Sequence, residues 1–245
     1  MDFTFAIENK KDHIDFFRRG NLYMDSLENF LSLEKILVES SENAGTTRYE
    51  IYEGFQNLVV PDENGEAILK NSEYDSLWVA PGVQRPVVFT SGFHKQLNTL
   101  AKIFCMYKLS NIPYRNSAKL QVDRRLRNFG KYFAIVTDVG EFNMRIKRSL
   151  DKHIDTKTIS EYMCDSVVYF DKAQFSGEKG PYMKDGILSW QNEYRICILN
   201  SVKAPYTLVV EDLSDITRQG YTDELIDVHI NADGTLALKT YLTLD

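Results

Sequence analysis

Short apolar segments of the kind that form β-strands recur through most of the sequence. They lie at residues 3–7, 103–107, 132–139 and 194–199. Neighbouring side chains of a strand point to opposite faces, so alternation of apolar residues gives such a segment one face for a core. Strands therefore have to supply much of the fold.

Two other segments repeat their apolar residues at helical spacing. Residues 10–20 predict a short helix that ends at Gly20, because glycine is favoured just after the end of a helix. Residues 141–153 predict an amphipathic helix whose apolar side consists of Phe142, Ile146 and Leu150. Together these patterns predict an α+β fold, in which a mixed or antiparallel sheet forms the core and a few helices flank it.

The length and composition are those of an ordinary globular domain. The chain has 245 residues, 43% of them hydrophobic and 26% charged. Internal repeats and long low-complexity linkers are absent from the sequence. We predict a single α+β domain over residues 1–245, with residues 40–80 as a loop or hairpin elaboration rich in turn-forming residues. Residues 231–234, Asn-Ala-Asp-Gly, predict the turn of a hairpin near the C-terminus.

The net charge of -6 argues against broad non-specific binding to nucleic acid. A local basic cluster consists of Arg124, Arg125, Arg127 and Lys131. We interpret this cluster as a solvated surface or as the partner of nearby acidic residues. Binding of nucleic acid through it is an alternative that we do not favour.

The cysteines and the hydropathy indicate a protein of a reducing compartment. Cys105, Cys164 and Cys197 are widely spaced in apolar or strand-like segments, so we expect buried free thiols. No Cys or His spacing typical of a metal site occurs, and we expect no metal. The sequence has neither the order of a signal peptide nor an apolar run of the roughly 20 residues that span a bilayer. We therefore expect a cytoplasmic protein.

The segment 186–199, Gly-Ile-Leu-Ser-Trp-Gln-Asn-Glu-Tyr-Arg-Ile-Cys-Ile-Leu, is the candidate functional site. Read as one strand, it places four polar side chains on one face, namely Ser189, Gln191, Glu193 and Arg195. A carboxylate on an inner strand is costly unless it is paired or lines a cleft. Two interpretations follow: an ion pair between Glu193 and Arg195 that only fixes the structure, or a functional site.

The triplet Gln191-Asn192-Glu193 resembles the Gln-x-Glu signature of ADP-ribosyltransferases. The resemblance implies an ADP-ribosyltransferase-like architecture and NAD as substrate. It implies that Glu193 is the catalytic carboxylate, which stabilises the oxocarbenium-like cation that forms as the nicotinamide–ribose bond breaks. It also implies that Gln191 positions the acceptor.

Further residues are candidates for binding the nucleotide. By the same resemblance, Arg18 and Arg19 take the place of a first-strand Arg or His, and Ser110 that of a Ser-Thr-Ser element. Tyr107 alternates inward on its strand, where it stacks on a nicotinamide or base or else packs in the core. Lys184 lies in the loop before the candidate strand, and either reaches the same cleft or is exposed.

A second resemblance covers about residues 13–216. The chain is similar to an uncharacterised family of bacterial and phage proteins that share a Gly-x-Leu-Tyr segment, a Lys and a late Trp-x-x-Glu-x-Arg strand. Here these are Gly20 to Tyr23, Lys184 and Trp190 to Arg195. Two hypotheses result. The protein transfers ADP-ribose to a macromolecule in bacterial conflict, or it is a non-catalytic inhibitor that blocks a defence or nucleic-acid enzyme by protein–protein contact.

Overall fold

The computed structural model describes about two thirds of the chain. The described residues are 2–30, 56–59, 66–67, 77–78, 87–89, 92–110, 122–171, 175, 177–200, 205–225, 229–230 and 236–237. The predicted elaboration at residues 40–80 therefore lies mostly outside them.

Helices and strands alternate along the described residues. The α-helices are α1 (Lys11–Arg18), α2 (Gly92–Leu100), α3 (Val139–Asp155) and α4 (Thr222–Leu225). Residues 27–30 are also helical. Three 3₁₀-helices span Arg124–Asn128, Gly186–Gln191 and Ser214–Ile216.

The strands are short except for one in the middle of the main sheet. They are β1 (Asp2–Glu8), β2 (Asn21–Ser26), β3 (Gln56–Val59), β4 (Glu66–Ala67), β5 (Leu77–Trp78), β6 (Val87–Phe89), β7 (Ala101–Ser110), β8 (Tyr132–Val136), β9 (Glu161–Ser166), β10 (Val168–Phe170), β11 (Gly177–Lys179), β12 (Met183–Asp185), β13 (Glu193–Leu199), β14 (Tyr206–Val209), β15 (Thr217–Tyr221), β16 (His229–Ile230) and β17 (Leu236–Ala237).

The main sheet has eight strands, in the order β14-β2-β7-β1-β8-β15, with β13 paired to β7 and β9 paired to β13. Its pairs are antiparallel. The long strand β7 carries β13 on one edge. On its other edge, β1 pairs as far as Tyr107 and β2 pairs from Ile103. The sheet therefore forks at residues 104–106 of β7, where β1 and β2 diverge.

The two faces of the main sheet bury separate apolar cores. One face packs against α1 and α3, whose buried residues Phe17 and Phe142 lie 6.4 Å apart between ring centroids. The other face packs against the 3₁₀-helix Arg124–Asn128 and α4. Its core consists mainly of Phe3, Phe5, Tyr107, Leu109, Val122, Leu126, Phe133, Ile135 and Leu225. This aromatic face is the one that holds the candidate site.

The helix α1 ends where two segments of backbone touch. Gly20 has a φ of 81°, and a Cβ atom there would lie 2.4 Å from the carbonyl oxygen of Val210. The Gly20 carbonyl accepts the N–H of Val210. Glycine is thus required both by the left-handed conformation and by the close approach, and the predicted end of this helix is confirmed.

The α+β class and the mostly antiparallel sheet are confirmed, as are the predicted strands at β1, β7, β8 and β13 and the predicted helix at α3. The pairing of β16 with β17 across residues 231–235 confirms the C-terminal hairpin. Residues 165–171, Asp-Ser-Val-Val-Tyr-Phe-Asp, have the composition of a single strand but are divided between two strands. The chain changes direction at the buried Val167, so β9 pairs with β13 whereas β10 pairs with β12.

Candidate active site

The segment that carries the candidate residues is not one continuous strand. Residues Gly186–Gln191 form a 3₁₀-helix, which begins where the Asp185 carboxylate accepts the N–H of Ile187 at 3.0 Å. Asn192 then takes a left-handed conformation with φ of 37°, and β13 begins at Glu193. The predicted four-residue polar face is therefore wrong in its first half, and Ser189 is exposed.

The predicted site residues Lys184, Gln191 and Glu193 nevertheless lie together. Lys184 Nζ donates to Gln191 Oε1 at 2.7 Å and to Glu193 Oε1 at 2.7 Å. Arg195 Nε donates to Glu193 Oε2 at 2.8 Å, and the same guanidinium donates to the carbonyl of Pro181. We call these four residues, Lys184, Gln191, Glu193 and Arg195, the ionic cluster.

The ionic cluster is buried. The exposed fractions are 2% for Lys184, 1% for Gln191, 7% for Glu193 and 1% for Arg195. Of the two alternatives for Lys184, the exposed loop is therefore ruled out, because this residue lies on β12, which pairs with β10, and is buried. Two cations surround one carboxylate, so the cluster has a formal charge of about +1 when all three groups are ionised.

The charges of the cluster keep the carboxylate ionised. Burial alone raises the pKa of Glu193, but Arg195 and Lys184 outweigh burial and lower this pKa from 4.5 to about 2. The backbone N–H of Glu193 donates to the hydroxyl of Tyr169 at 2.9 Å, which fixes the start of β13. At neutral pH the site therefore holds a permanent, oriented anion.

A pocket of about 60 Å³ opens beside this anion. Gln191 and Glu193 form its polar wall. The rest of its lining is Phe5, Ile7, Cys105, Met106, Tyr107, Leu126 and Phe129. Tyr107 is buried against Phe5, with ring centroids 5.9 Å apart, so it is at once a core residue and a wall of the pocket.

The structure does not bring every predicted nucleotide-binding residue to this pocket. Arg18 and Arg19 follow from α1, on the opposite face of the sheet, where Arg18 Nε donates to Thr217 Oγ1 at 3.2 Å. The prediction that these two arginines lie at the Glu193 pocket is therefore wrong, because α1 packs on the other face of the sheet. Ser110 ends β7 opposite Asp2 of β1.

The sequence did not predict that Cys105 and Arg125 lie near the pocket. Cys105 is exposed rather than buried, and it stands directly across from Arg195 in the pairing of β7 with β13. Trp190 contacts Phe129, with ring centroids 5.5 Å apart, and the Arg125 guanidinium lies 4.5 Å from the Trp190 ring. Pairing register was the missing information, because the sequence shows that a residue is on a strand but not what lies opposite.

Two of the four residues of the basic cluster pair with acidic residues, in line with the preferred interpretation. Arg125 Nη2 lies 2.7 Å from Asp123, and Arg127 Nε lies 2.6 Å from Asp223. Among the residues described, no group of His, Cys, Asp and Glu is arranged to hold a metal ion. None of the helices in the described part of the chain is both long and apolar enough to cross a membrane.

Comparisons of the chain with protein-family models, with curated proteins and with solved structures found no match.

Proposed function

We propose that the pocket beside Glu193 binds the nicotinamide–ribose end of NAD, and that the protein transfers ADP-ribose to a macromolecule. The observation that supports this proposal is the meeting of Gln191 and Glu193. One lysine holds both side chains at the wall of a single pocket. The Gln-x-Glu resemblance requires these two residues at one site.

The chemistry needs an anion where positive charge develops. As the nicotinamide–ribose bond breaks, nicotinamide leaves with the bonding electrons and the ribose gains oxocarbenium character. Glu193, kept ionised by Arg195 and Lys184, stabilises that cation through the ribose hydroxyl. The acceptor then forms a new bond to the ribose carbon and releases its proton. A carboxylate oxygen has two lone pairs, so Oε1 accepts the ribose hydroxyl as well as Lys184.

Binding also requires the pocket to widen. Its volume of about 60 Å³ is well below the roughly 150 Å³ of a cavity that holds benzene. Leu126 and Phe129 form the wall that belongs to the 3₁₀-helix Arg124–Asn128 and its C-terminal end. In this proposal, their movement admits the nicotinamide ring.

The test is incubation of the protein with ribose-labelled NAD and a bacterial lysate. We expect nicotinamide release and transfer of label by the parent protein, both lost in Glu193→Gln. Lys184→Met, which keeps the Glu193–Arg195 pair, should retain measurable nicotinamide release. Asp223→Asn, on the exposed surface, is the matched control. A parent protein that consumes no NAD and labels nothing contradicts the proposal, whatever the variants do.

A second candidate is a non-catalytic binding protein that blocks another enzyme by protein–protein contact. The observation that favours it is that cations hold both oxygens of Glu193 beside a small pocket. In that case Glu193 is structural. Isolation of a stoichiometric partner, bound equally by the parent and by a folded Glu193→Gln variant, would support this second function, and NAD consumption by the parent would contradict it.

A further inference from the structure

A second and larger depression lies on the opposite face of the sheet, in the fork between β1 and β2. Its volume is about 780 Å³. The helix α1 forms one wall, β1 and β2 contribute to the others, and Phe104 of β7 lies at its base. Pockets of this volume are typical of binding sites. We call it the fork groove, and it is separate from the pocket beside Glu193.

One side of α1, together with the residue that follows the helix, presents Asp12, Phe16 and Arg19 to the fork groove. They are spaced by four and three residues, so they form one stripe along the helix surface. The stripe is about 10 Å long, at 1.5 Å per residue. It has a carboxylate at one end, an aromatic ring in the middle and a guanidinium at the other.

The charges of this stripe are not used by the fold that the structure describes. Asp12 and Arg19 are exposed, and neither side chain forms a hydrogen bond or ion pair within the described residues. By contrast, Glu8 on the neighbouring rim lies 3.3 Å from His13. An unpaired acid and an unpaired base at the two ends of a groove match a ligand with the opposite charges at the same separation.

The centre of the fork groove is aromatic and accessible. Phe16 is 36% exposed and Tyr23 is 55% exposed. Below them, Phe104 stacks on Phe17, with ring centroids 5.7 Å apart and planes inclined by 13°. Exposed aromatic rings rimmed by polar residues are a common feature of surfaces that bind other proteins.

We propose that the fork groove docks an amphipathic helix of a partner protein. The helix lies antiparallel to α1, with an acidic residue against Arg19, a basic residue seven positions later against Asp12, and apolar residues between them over Phe16. This order places Glu toward the N-terminus and Lys toward the C-terminus of the partner helix, which its dipole favours, and sets the two helix dipoles antiparallel. The inference does not depend on the proposed transferase activity, because it uses the opposite face of the sheet.

The test uses a fluorescent, alanine-based peptide of about 16 residues, long enough to form a helix. It carries Glu, Leu, Leu and Lys at positions i, i+3, i+4 and i+7. We expect saturable binding to the parent protein by fluorescence anisotropy. Phe16→Ala should weaken binding by about tenfold if the ring is an anchor, and Tyr221→Ala, which also truncates an exposed aromatic, should leave it unchanged.

A double-mutant cycle tests the charged contact itself. Asp12→Asn in the protein and Lys→Gln in the peptide are each expected to weaken binding. The combined loss of affinity should be about twofold to fivefold smaller than the product of the two single losses. The Asp12 carboxylate also stabilises α1 through the helix dipole, so circular dichroism must show that the Asp12→Asn variant is folded. The proposal is overturned if the parent fails to bind the peptide at millimolar concentration, or if binding is unaffected by Phe16→Ala, or if the cycle shows no coupling.

Discussion

Arg195 and Glu193 are two residues apart on the same face of β13, and their side chains form an ion pair with Nε 2.8 Å from Oε2. The pair is buried, and Lys184 adds a second cation to the same carboxylate at 2.7 Å. One carboxylate therefore contacts two buried cations. Removing different members of this cluster should have unequal effects on folding.

Glu193→Gln should be the most damaging change in the ionic cluster. It removes the carboxylate that Lys184 and Arg195 both contact, and breaking a buried pair in this way costs about 3–5 kcal/mol in the free energy of unfolding. Urea denaturation of the parent and the variant measures the difference. Asp223→Asn, at the exposed end of the Arg127 ion pair, should change the curve little. Equal stability of Glu193→Gln and the parent would show that the carboxylate is dispensable for folding.

Lys184→Met should cost less than Glu193→Gln. The variant leaves one carboxylate and one guanidinium, so the remaining pair is neutral, and the methionine fills most of the volume. We expect a loss of about 1–2 kcal/mol, mainly from the Gln191 hydrogen bond. The same denaturation experiment ranks the two variants. The reverse order would contradict the assignment of Glu193 as the counter-ion of both cations.

Acid should unfold the protein partly through Glu193. Its pKa falls from 4.5 to about 2 in the folded protein, where Arg195 and Lys184 outweigh burial. A lowered pKa contributes stability above the unfolded value, and this contribution disappears as the pH falls from about 4.5 to about 2. The difference in stability between the parent and Glu193→Gln should therefore narrow over that range. Denaturation curves at several pH values test this, and a constant difference would contradict it.

The three cysteines should differ in their reaction with a thiol reagent. Cys105 is exposed, whereas burial raises the pKa of Cys164 to about 11 and that of Cys197 to about 12. The thiolate is the reactive form, so native protein should react rapidly at one thiol and unfolded protein at three. Cys105→Ser should abolish the rapid reaction with Ellman's reagent. Fast labelling that persists in Cys105→Ser would disprove the assignment.

Alanine should have opposite effects at two helix-associated glycines. Gly20→Ala forces a side chain into a left-handed conformation and against the Val210 carbonyl, so we expect a loss of at least about 2 kcal/mol. Gly140 lies inside α3, where the nearest atom to an added Cβ is 3.4 Å away. Gly140→Ala should stabilise the protein by about 0.5–1 kcal/mol. Thermal unfolding of both variants provides the comparison.

The parts of the fold that depend on local pattern were predictable from the sequence. The period of two in β7 and the helical spacing of Phe142, Ile146 and Leu150 each report which side of an element is buried. The break at Asn192 was not, because the preceding 3₁₀-helix has enough apolar residues to resemble a strand. A single residue with positive φ leaves little trace in a pattern of hydrophobicity.

The candidate site was predictable only in part, for a related reason. Gln191 and Glu193 were identified from their spacing, and the pairing of Glu193 with Arg195 was one of the two interpretations. The position of Lys184 depends on the parallel pairing of β12 with β10, which is a contact between separate segments. The side on which Arg18 and Arg19 lie depends on how α1 crosses the sheet. Long-range contacts of this kind are not encoded in local alternation.

The left-handed turn at Asn192 makes the spacing between Gln191 and Glu193 strict. The chain leaves the 3₁₀-helix at Gln191 and enters β13 at Glu193, so this one residue sets how the two side chains are oriented relative to each other. Inserting or deleting a residue here would send Glu193 or its partner into the other layer of the molecule. We therefore expect insertions and deletions on either side of the cluster to be tolerated far better than those within it.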